Sequence, residues 1–359
     1  MAPRGSILPR EGFVYDALHA LTKKTIFNPL FTLPAYLGLV YTPFGRELSA
    51  GRLTWVQRLK LLVIFGAITK ANAFLNKKSL NNWKSDKWDW EKEIVVITGG
   101  CGGIGEGIVR DLATRSPKTR IVVLDLLPWT GEELPNVTVL KVNLADRDSV
   151  REVANHIRTT IGAPTVLVNN AGVCRGKTIL EATPADLNLV YNVNVLSHFY
   201  LAQEFLPSMI SSNHGHIITV ASIGAYVQAP KMVDYNSSKA AVLSFHEGLG
   251  LELKHTYKAD KVRTTLVTQG YARTPLFQGY KQDSTFFLPS LEPETVSDAI
   301  VDAVLGGESG HITLPVAYNA LQSIRGWAHW LQRRVRDKTG GLMSTYQGRQ
   351  VIDPNAGKQ

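Results

Sequence analysis

The chain alternates short β-branched apolar runs with longer stretches in which apolar residues recur every three or four positions. The runs predict strands near 93–98, 120–125, 137–142, 165–169, 216–221, 262–268 and 311–314. The periodic stretches predict helices near 103–115, 146–160, 185–211, 234–256 and 294–305. In the first of these, Ile104, Ile108, Val109 and Leu112 form the apolar side. Alternation of this kind implies an α/β fold with a doubly wound, mostly parallel sheet. No internal repeat is visible.

The pattern changes at both ends. Residues 26–44 are largely apolar but punctuated by Asn28, Pro29, Pro34 and Pro43. Residues 59–75 carry the run Leu61-Leu-Val-Ile-Phe-Gly-Ala-Ile68 together with Lys60 and Lys70. Neither gives the uninterrupted run of ~20 apolar residues that a spanning helix needs. A kinked span, a re-entrant hairpin and an interfacial helix stay open, beside an extension packed on the enzyme domain or on a partner subunit. Lys77, Lys78 and the tryptophans Trp83, Trp88 and Trp90 follow, as at headgroup level or in a polar linker. Near the C-terminus, Leu321, Ile324, Trp327, Ala328, Leu331 and Val335 recur at helical spacing beside Arg325, Arg333, Arg334 and Arg336. That is an amphipathic basic helix, suited to a membrane surface or to packing its stripe on the core. Residues 339–359 are polar and are expected to lack fixed structure. The expected organisation is an apolar, membrane-associated extension (1–90), a central dinucleotide-binding domain (91–316) and the amphipathic helix with its tail (317–359).

The net charge of +9 suits an anionic membrane surface, and no nucleic-acid motif accompanies it. Two cysteines, Cys101 and Cys174, exclude a disulfide framework and fit a reducing compartment. The glycosylation patterns at Asn136 and Asn236 are read as chance, the second lying too close to the candidate chemistry. The nine histidines show no ligand spacing beyond His214 and His216, so no metal is expected.

Two constellations carry chemistry. The first is a strand, a glycine-rich turn and a helix: Gly99-Gly-Cys-Gly-Gly103-Ile104-Gly105 follows the run ending at Thr98. Glycines let backbone approach a pyrophosphate, and the helix start offers free N–H groups. The next strand ends in Asp125, about twenty residues past the last glycine, with Leu126 and Leu127 after it. An acid there suits the ribose of NAD and opposes the extra phosphate of NADP, so NAD is preferred and NADP remains the alternative. The second constellation is Tyr235 and Lys239, four residues apart on one helix face, thirteen residues after Ser222. A fixed positive charge beside a phenol favours its phenolate, which makes an acid or base. The same spacing recurs at Ser244, Tyr257 and Lys261, but only Ser222 falls at the carboxyl end of an expected strand, where ligands bind in such sheets.

In order, Thr98-Gly-x-x-x-Gly103-Ile104-Gly105, Asn169-Asn170-Ala171-Gly172, Val193-Asn194-Val195, Ser222 and Tyr235-x-x-x-Lys239 resemble the short-chain dehydrogenase/reductase family, over about residues 92–316. The resemblance implies a Rossmann-like fold and roles for these residues. Tyr235 would be the acid/base. Lys239 would lower its pKa and bind the nicotinamide ribose. Ser222 would hold the substrate oxygen, and Asn194 would position a relay water. Gly99, Gly103, Ile104, Gly105, Asn170, Ala171, Gly172 and Thr274 would shape the cofactor site. Two departures stand out: Gln269-Gly270 replaces the usual Pro-Gly, and Asn143 replaces the usual Asp beside the adenine. The strings Asn194-Val-Leu-Ser-His-Phe-Tyr and His214-Gly-His-Ile-Ile-Thr-Val-Ala-Ser222 are similar to the membrane-associated branch of retinol dehydrogenases and lipid-droplet hydroxysteroid dehydrogenases. That likeness implies an apolar alcohol or ketone substrate and a catalytic domain facing the cytosol at the endoplasmic reticulum or a lipid droplet. Residues 275–293, irregular and aromatic, are the expected substrate lid. The alternatives are a non-catalytic membrane or lipid-droplet scaffold of the same fold, and a soluble carbonyl reductase whose terminal extensions build an oligomer; a homodimer is the assembly considered.

Overall fold

The computed structural model describes residues 8–351. The chain divides into two compact units, Met1–Trp83 and Lys84–Gln359.

The described part of the first unit is helical: α1 (Tyr15–Lys24), α2 (Pro29–Tyr41), α3 (Pro43–Ser49) and α4 (Leu53–Leu80). The interruptions at Lys60 and Lys70 do not break α4. It runs for 28 residues, about 42 Å at 1.5 Å per residue. The Lys70 ammonium donates to Asn28 Oδ1 at 2.7 Å, so a polar pair forms where α4 passes the start of α2. Gly66 allows the approach, because a Cβ there would lie 2.6 Å from the Phe27 carbonyl oxygen. With 13 residues and Pro34 inside, α2 is too short to span a bilayer, whereas α4 is long and apolar enough. Large apolar side chains on both remain exposed, among them Leu30, Phe31, Leu61, Ile68 and Phe74.

The second unit holds β1 (Ile94–Thr98), α5 (Gly103–Arg115), β2 (Arg120–Asp125), β3 (Val137–Lys141), α6 (Arg147–Thr160), β4 (Val166–Asn169), α7 (Pro184–Tyr191), α8 (Ser197–Ser212), β5 (His216–Val220), α9 (Val233–His255), β6 (Arg263–Gln269), α10 (Pro293–Gly306), β7 (Gly310–Leu314), α11 (Tyr318–Leu321) and α12 (His329–Asp337). All seven strands are parallel, in the order β3-β2-β1-β4-β5-β6-β7. Both faces are covered, which is why the strands read as unbroken apolar runs. Along β1 the pleat sends Val95 and Ile97 into the core under α5 and α10, and Ile94 and Val96 into the core on the other face. That second core takes Ala154 from α6, Phe205 from α8 and Leu249 from α9. The chain leaves β1 for β2 on one side and later for β4 on the other. The carboxyl ends of β1 and β4 therefore flank a topological switch point, the crevice where such sheets bind ligands.

Three local features depart from the expected pattern. The helix expected over 185–211 is interrupted by a π-helical turn at Asn192–Leu196, which separates α7 from α8. The C-terminal amphipathic helix is two pieces, with a 3₁₀ turn at Ile324–Gly326 and extended backbone at Trp327 and Ala328 between them. Ile324 is fully buried and the Arg325 guanidinium donates to the Ala225 carbonyl at 2.7 Å, so part of this stripe packs on its own unit. The described part of the tail, to Val351, is ordered rather than structureless. Gln347 and Arg349 donate their backbone N–H groups to the Gln278 and Pro275 carbonyls, and Met343 is buried. Upstream of β1, Trp88 stacks on Trp90 at 5.2 Å and donates its indole N–H to the Gly307 carbonyl at 3.1 Å.

Candidate active site

The turn after β1 is built so that backbone comes close to backbone. Gly99 has φ +64°, and a Cβ on it would lie 2.8 Å from Ala171 Cα. A Cβ on Gly105 would lie 2.0 Å from the Gly99 carbonyl oxygen. The end of β4 latches this turn. Thr98 Oγ1 accepts the N–H groups of Asn170 and Ala171, each at 3.0 Å, and Asn170 Nδ2 donates to the carbonyls of Thr98 and Gly99. The Asn170-Ala171 pair thus shapes the turn as well as the wall beside it. Helix α5 starts at Gly103 with no side-chain cap, leaving its first N–H groups without a side-chain acceptor. Asp125, at the end of β2, accepts the Cys101 N–H at 2.8 Å and the Leu127 N–H at 3.0 Å. Asn143 folds into a local turn, its Oδ1 accepting the Ala145 N–H at 3.1 Å. Burial, reinforced by the Asp125 charge, pushes the Cys101 thiol up to about 12, so it is not a reactive thiolate.

The second group comes from α9 and the end of β5. Tyr235 lies in the first turn of α9, Lys239 one turn later, and each is only 3% exposed. The Lys239 ammonium lies 5.7 Å from the Tyr235 ring centroid and donates to the Val220 carbonyl at 2.8 Å. Ser222, just past β5, accepts the Gly224 N–H at 3.1 Å. The Tyr235 ring meets Phe277 edge-on at 5.4 Å. The expected downward pull of Lys239 on the phenol does not set the Tyr235 pKa. Burial, with a smaller push from Cys174, raises the Tyr235 pKa above the ordinary phenol range, while a hydrogen bond with Ser222 pulls it back in part. Burial also depresses the Lys239 ammonium to about 8.

Asn194 sits in the π-helical turn, fully buried. Its Oδ1 accepts the Val173 N–H at 2.8 Å, and its Nδ2 donates to the Val173 carbonyl and to Ser238 Oγ, both at 3.0 Å. Its side chain ties the end of β4 to α9. Gly172 leaves the space between: a Cβ there would lie 3.6 Å from both Asn194 Oδ1 and Lys239 Nζ.

Of the fourteen residues singled out from sequence, thirteen line one cleft of about 1340 Å³ at the switch point; Asn194 lies behind its wall. A second, mostly apolar cleft of about 1000 Å³ adjoins it, and Ser222, Gly270 and Phe277 line both. The expected lid supplies Phe277, Tyr280 and Leu288 to this second cleft, and the C-terminal pieces supply Leu321, Val335 and Leu342. The duplicate set is a surface feature: Tyr257 lies beyond the end of α9, is 42% exposed and donates its hydroxyl to Glu252. Gly270 has a packing reason, since a Cβ on it would collide with the Tyr318 ring; nothing in the structure explains Gln269 in place of proline. Sequence reasoning missed Arg349 and Val351, which also line the first cleft. Neither has a periodic apolar pattern around it to mark it as part of a site.

A glycine turn without room for side chains, an uncapped helix start, an acid at the end of β2 and a buried lysine fit a nicotinamide dinucleotide. Fold and cleft together define an oxidoreductase of the doubly wound dinucleotide-binding class. The family model for short chain dehydrogenases matches residues 93–285, and the chain belongs to that family. It is 45% identical over 210 residues to dehydrogenase RED2 of Cochliobolus heterostrophus, covering 58% of this chain and 78% of that one. It is 33% identical over 221 residues to human estradiol 17-beta-dehydrogenase 11, covering 59% and 72%. A short chain dehydrogenase from Burkholderia cenocepacia, solved in complex with NADP, superposes with a TM-score of 0.57 at 25% identity, covering 68% of this chain and 98% of that one.

Proposed function

We propose that this short-chain oxidoreductase interconverts a hydrophobic alcohol and its carbonyl, with Tyr235 as acid/base. Retinoid, steroid and long-chain lipid alcohols are the candidate substrates. The observation that carries the reading is the position of Ser222. Ser222 lines both the glycine-walled cleft and the apolar cleft, and its hydroxyl is hydrogen-bonded with Tyr235, so a substrate oxygen held there lies where Tyr235 can serve it.

A nicotinamide cofactor, when bound, supplies or accepts the hydride. The protein's own residues handle the oxygen and the proton. In reduction, the Tyr235 phenol gives its proton to the carbonyl oxygen as that oxygen gains charge. In oxidation, the Tyr235 phenolate takes the proton of the substrate hydroxyl. Ser222 holds the same oxygen in both directions. Lys239, within 5.7 Å of the ring, stabilises the phenolate left behind or waiting, and its ammonium also suits the cofactor ribose hydroxyls. The raised Tyr235 pKa keeps the free protein in the phenol form at neutral pH, the form that donates. Asn194 is a positioning residue, fixing the β4 end against α9. Asp125, without a basic neighbour in sequence, favours NAD over NADP. Thr274, whose Cγ2 would touch a Cβ on Gly103, stands where the chain can meet the carboxamide end of the cofactor.

The apolar second cleft supports the substrate class, and the relative named for estradiol is consistent with it. A helix of 28 residues with exposed Leu61, Ile68 and Phe74 supports membrane association of the first unit at the endoplasmic reticulum or a lipid droplet. The test is a substrate panel of retinoids, steroids and long-chain alcohols, with sugars and amino-acid alcohols as water-soluble comparators, with NAD and with NADP, on the full chain in detergent, followed by absorbance of the reduced cofactor. Turnover of water-soluble sugars or amino-acid alcohols in preference to every apolar candidate would overturn the substrate class.

A further inference from the structure

We infer that Arg349 is a phosphate-binding residue of the cofactor cleft, delivered by the C-terminal segment and aimed at the pyrophosphate. The inference rests on the reading of the first cleft as a dinucleotide site. Among the described residues that line the cleft only Lys239 and Arg349 are cationic, and Lys239 is buried and engaged with the Val220 carbonyl. Arg349 lies against the glycine turn: a Cβ on Gly102 would come within 3.2 Å of its Nη1. Gly102 is the residue before α5, so the guanidinium faces the end of that helix where N–H groups are free and the dipole is positive. A cation placed beside an already positive helix end is repelled by it, and an anion bridging the two removes that cost. Arg349 also has no carboxylate within ion-pairing distance among the described residues.

The segment that carries Arg349 is held in place by contacts of its own. The Tyr346 hydroxyl donates to the Cys174 and Leu276 carbonyls at 2.9 and 3.0 Å, and the Arg349 N–H donates to the Pro275 carbonyl at 2.8 Å. The Val351 carbonyl accepts from the Arg175 guanidinium at 3.0 Å. A Cβ on Gly348 would lie 2.0 Å from the Leu276 carbonyl oxygen, so the segment is seated directly on the lid. A guanidinium on so constrained a backbone has less entropy to lose on gripping a phosphate than one on a free tail.

The test titrates the full chain in detergent with NADH and NADPH by cofactor fluorescence, and with ADP-ribose and adenosine by competition, for wild type, Arg349→Ala and Arg349→Lys. Arg349→Ala is expected to weaken NADH and ADP-ribose about tenfold or more, with adenosine unchanged, Arg349→Lys intermediate, and the deficit smaller at high salt. Equal affinities, or an equal loss for adenosine, would overturn the inference. So would a loss confined to NADPH, which would move Arg349 to the 2′-phosphate. Failure of the wild type itself to bind NADH would instead sink the dinucleotide reading beneath it. Arg349 is exposed, and unchanged near-ultraviolet circular dichroism will confirm that the variants are folded.

Discussion

Lys239→Met isolates the cost of keeping a charge in the site. Burial depresses the Lys239 pKa from 10.5 to about 8, which corresponds to about 3 kcal/mol of stability lost while the ammonium is held in the folded protein. The variant also leaves the Val220 carbonyl without its 2.8 Å donor, at a cost of about 1–2 kcal/mol. The balance makes Lys239→Met about 1–2 kcal/mol more stable than wild type at pH 7, with activity lost. The pH dependence has a definite sign. Between pH 8 and 10.5 the unfolded lysine binds more protons than the folded one, so wild-type stability from this group rises with pH across that window. The advantage of the variant should therefore shrink above pH 8, reverse between about pH 9 and 10, and leave wild type the more stable protein at pH 10. Urea unfolding of both proteins in parallel, at pH 7 and pH 10, cancels the contributions of other groups. A variant less stable than wild type at pH 7, or a difference that does not change with pH, would refute the reasoning.

Further outcomes follow from the same geometry. Asp125→Ala should lower the preference for NADH over NADPH at least tenfold in fluorescence titration, because the carboxylate that opposes a 2′-phosphate is gone; an unchanged ratio would count against its role. Gly105→Ala should abolish cofactor binding or soluble expression, since its Cβ would lie 2.0 Å from the Gly99 carbonyl oxygen. The protonated His214 ring donates to Glu93 and Asp86, at 3.3 and 2.7 Å, and these bonds raise its pKa above 6.5. That stability is fully present below pH 6.5 and is lost as pH rises through the raised value. His214→Ala should thus lower the melting temperature more at pH 5.5 than at pH 9, and an equal loss at both would exclude the linkage.

The inner strands were legible because they are buried on both faces, so Ile94–Thr98 and His216–Val220 read as apolar runs without ambiguity. The glycine turn and the Tyr235–Lys239 spacing were legible because their geometry leaves little choice of residue. What escaped has no local signature. Asn192–Leu196 carries an ordinary helical pattern, and its π-turn answers to Asn194 being drawn onto Val173 and Ser238 from elsewhere in the chain. Lys60 and Lys70 look like interruptions of an apolar run, yet α4 continues through both. The tail reads as polar because it is held by backbone hydrogen bonds to residues 275–281 and by Tyr346, not by an apolar stripe. Arg349 is invisible for the same reason. The Tyr235 pKa also could not be read from spacing, because it is set by burial, which the spacing does not show.

The central claim is that Tyr235 moves the proton while the glycine-walled cleft holds the cofactor. Tyr235→Phe separates the two, since it removes one hydroxyl and keeps the ring packed on Phe277. Turnover on the best substrate of the panel should fall at least a thousandfold while the Kd for NADH, read by fluorescence, stays within about threefold. Retention of wild-type turnover in that variant would contradict the account.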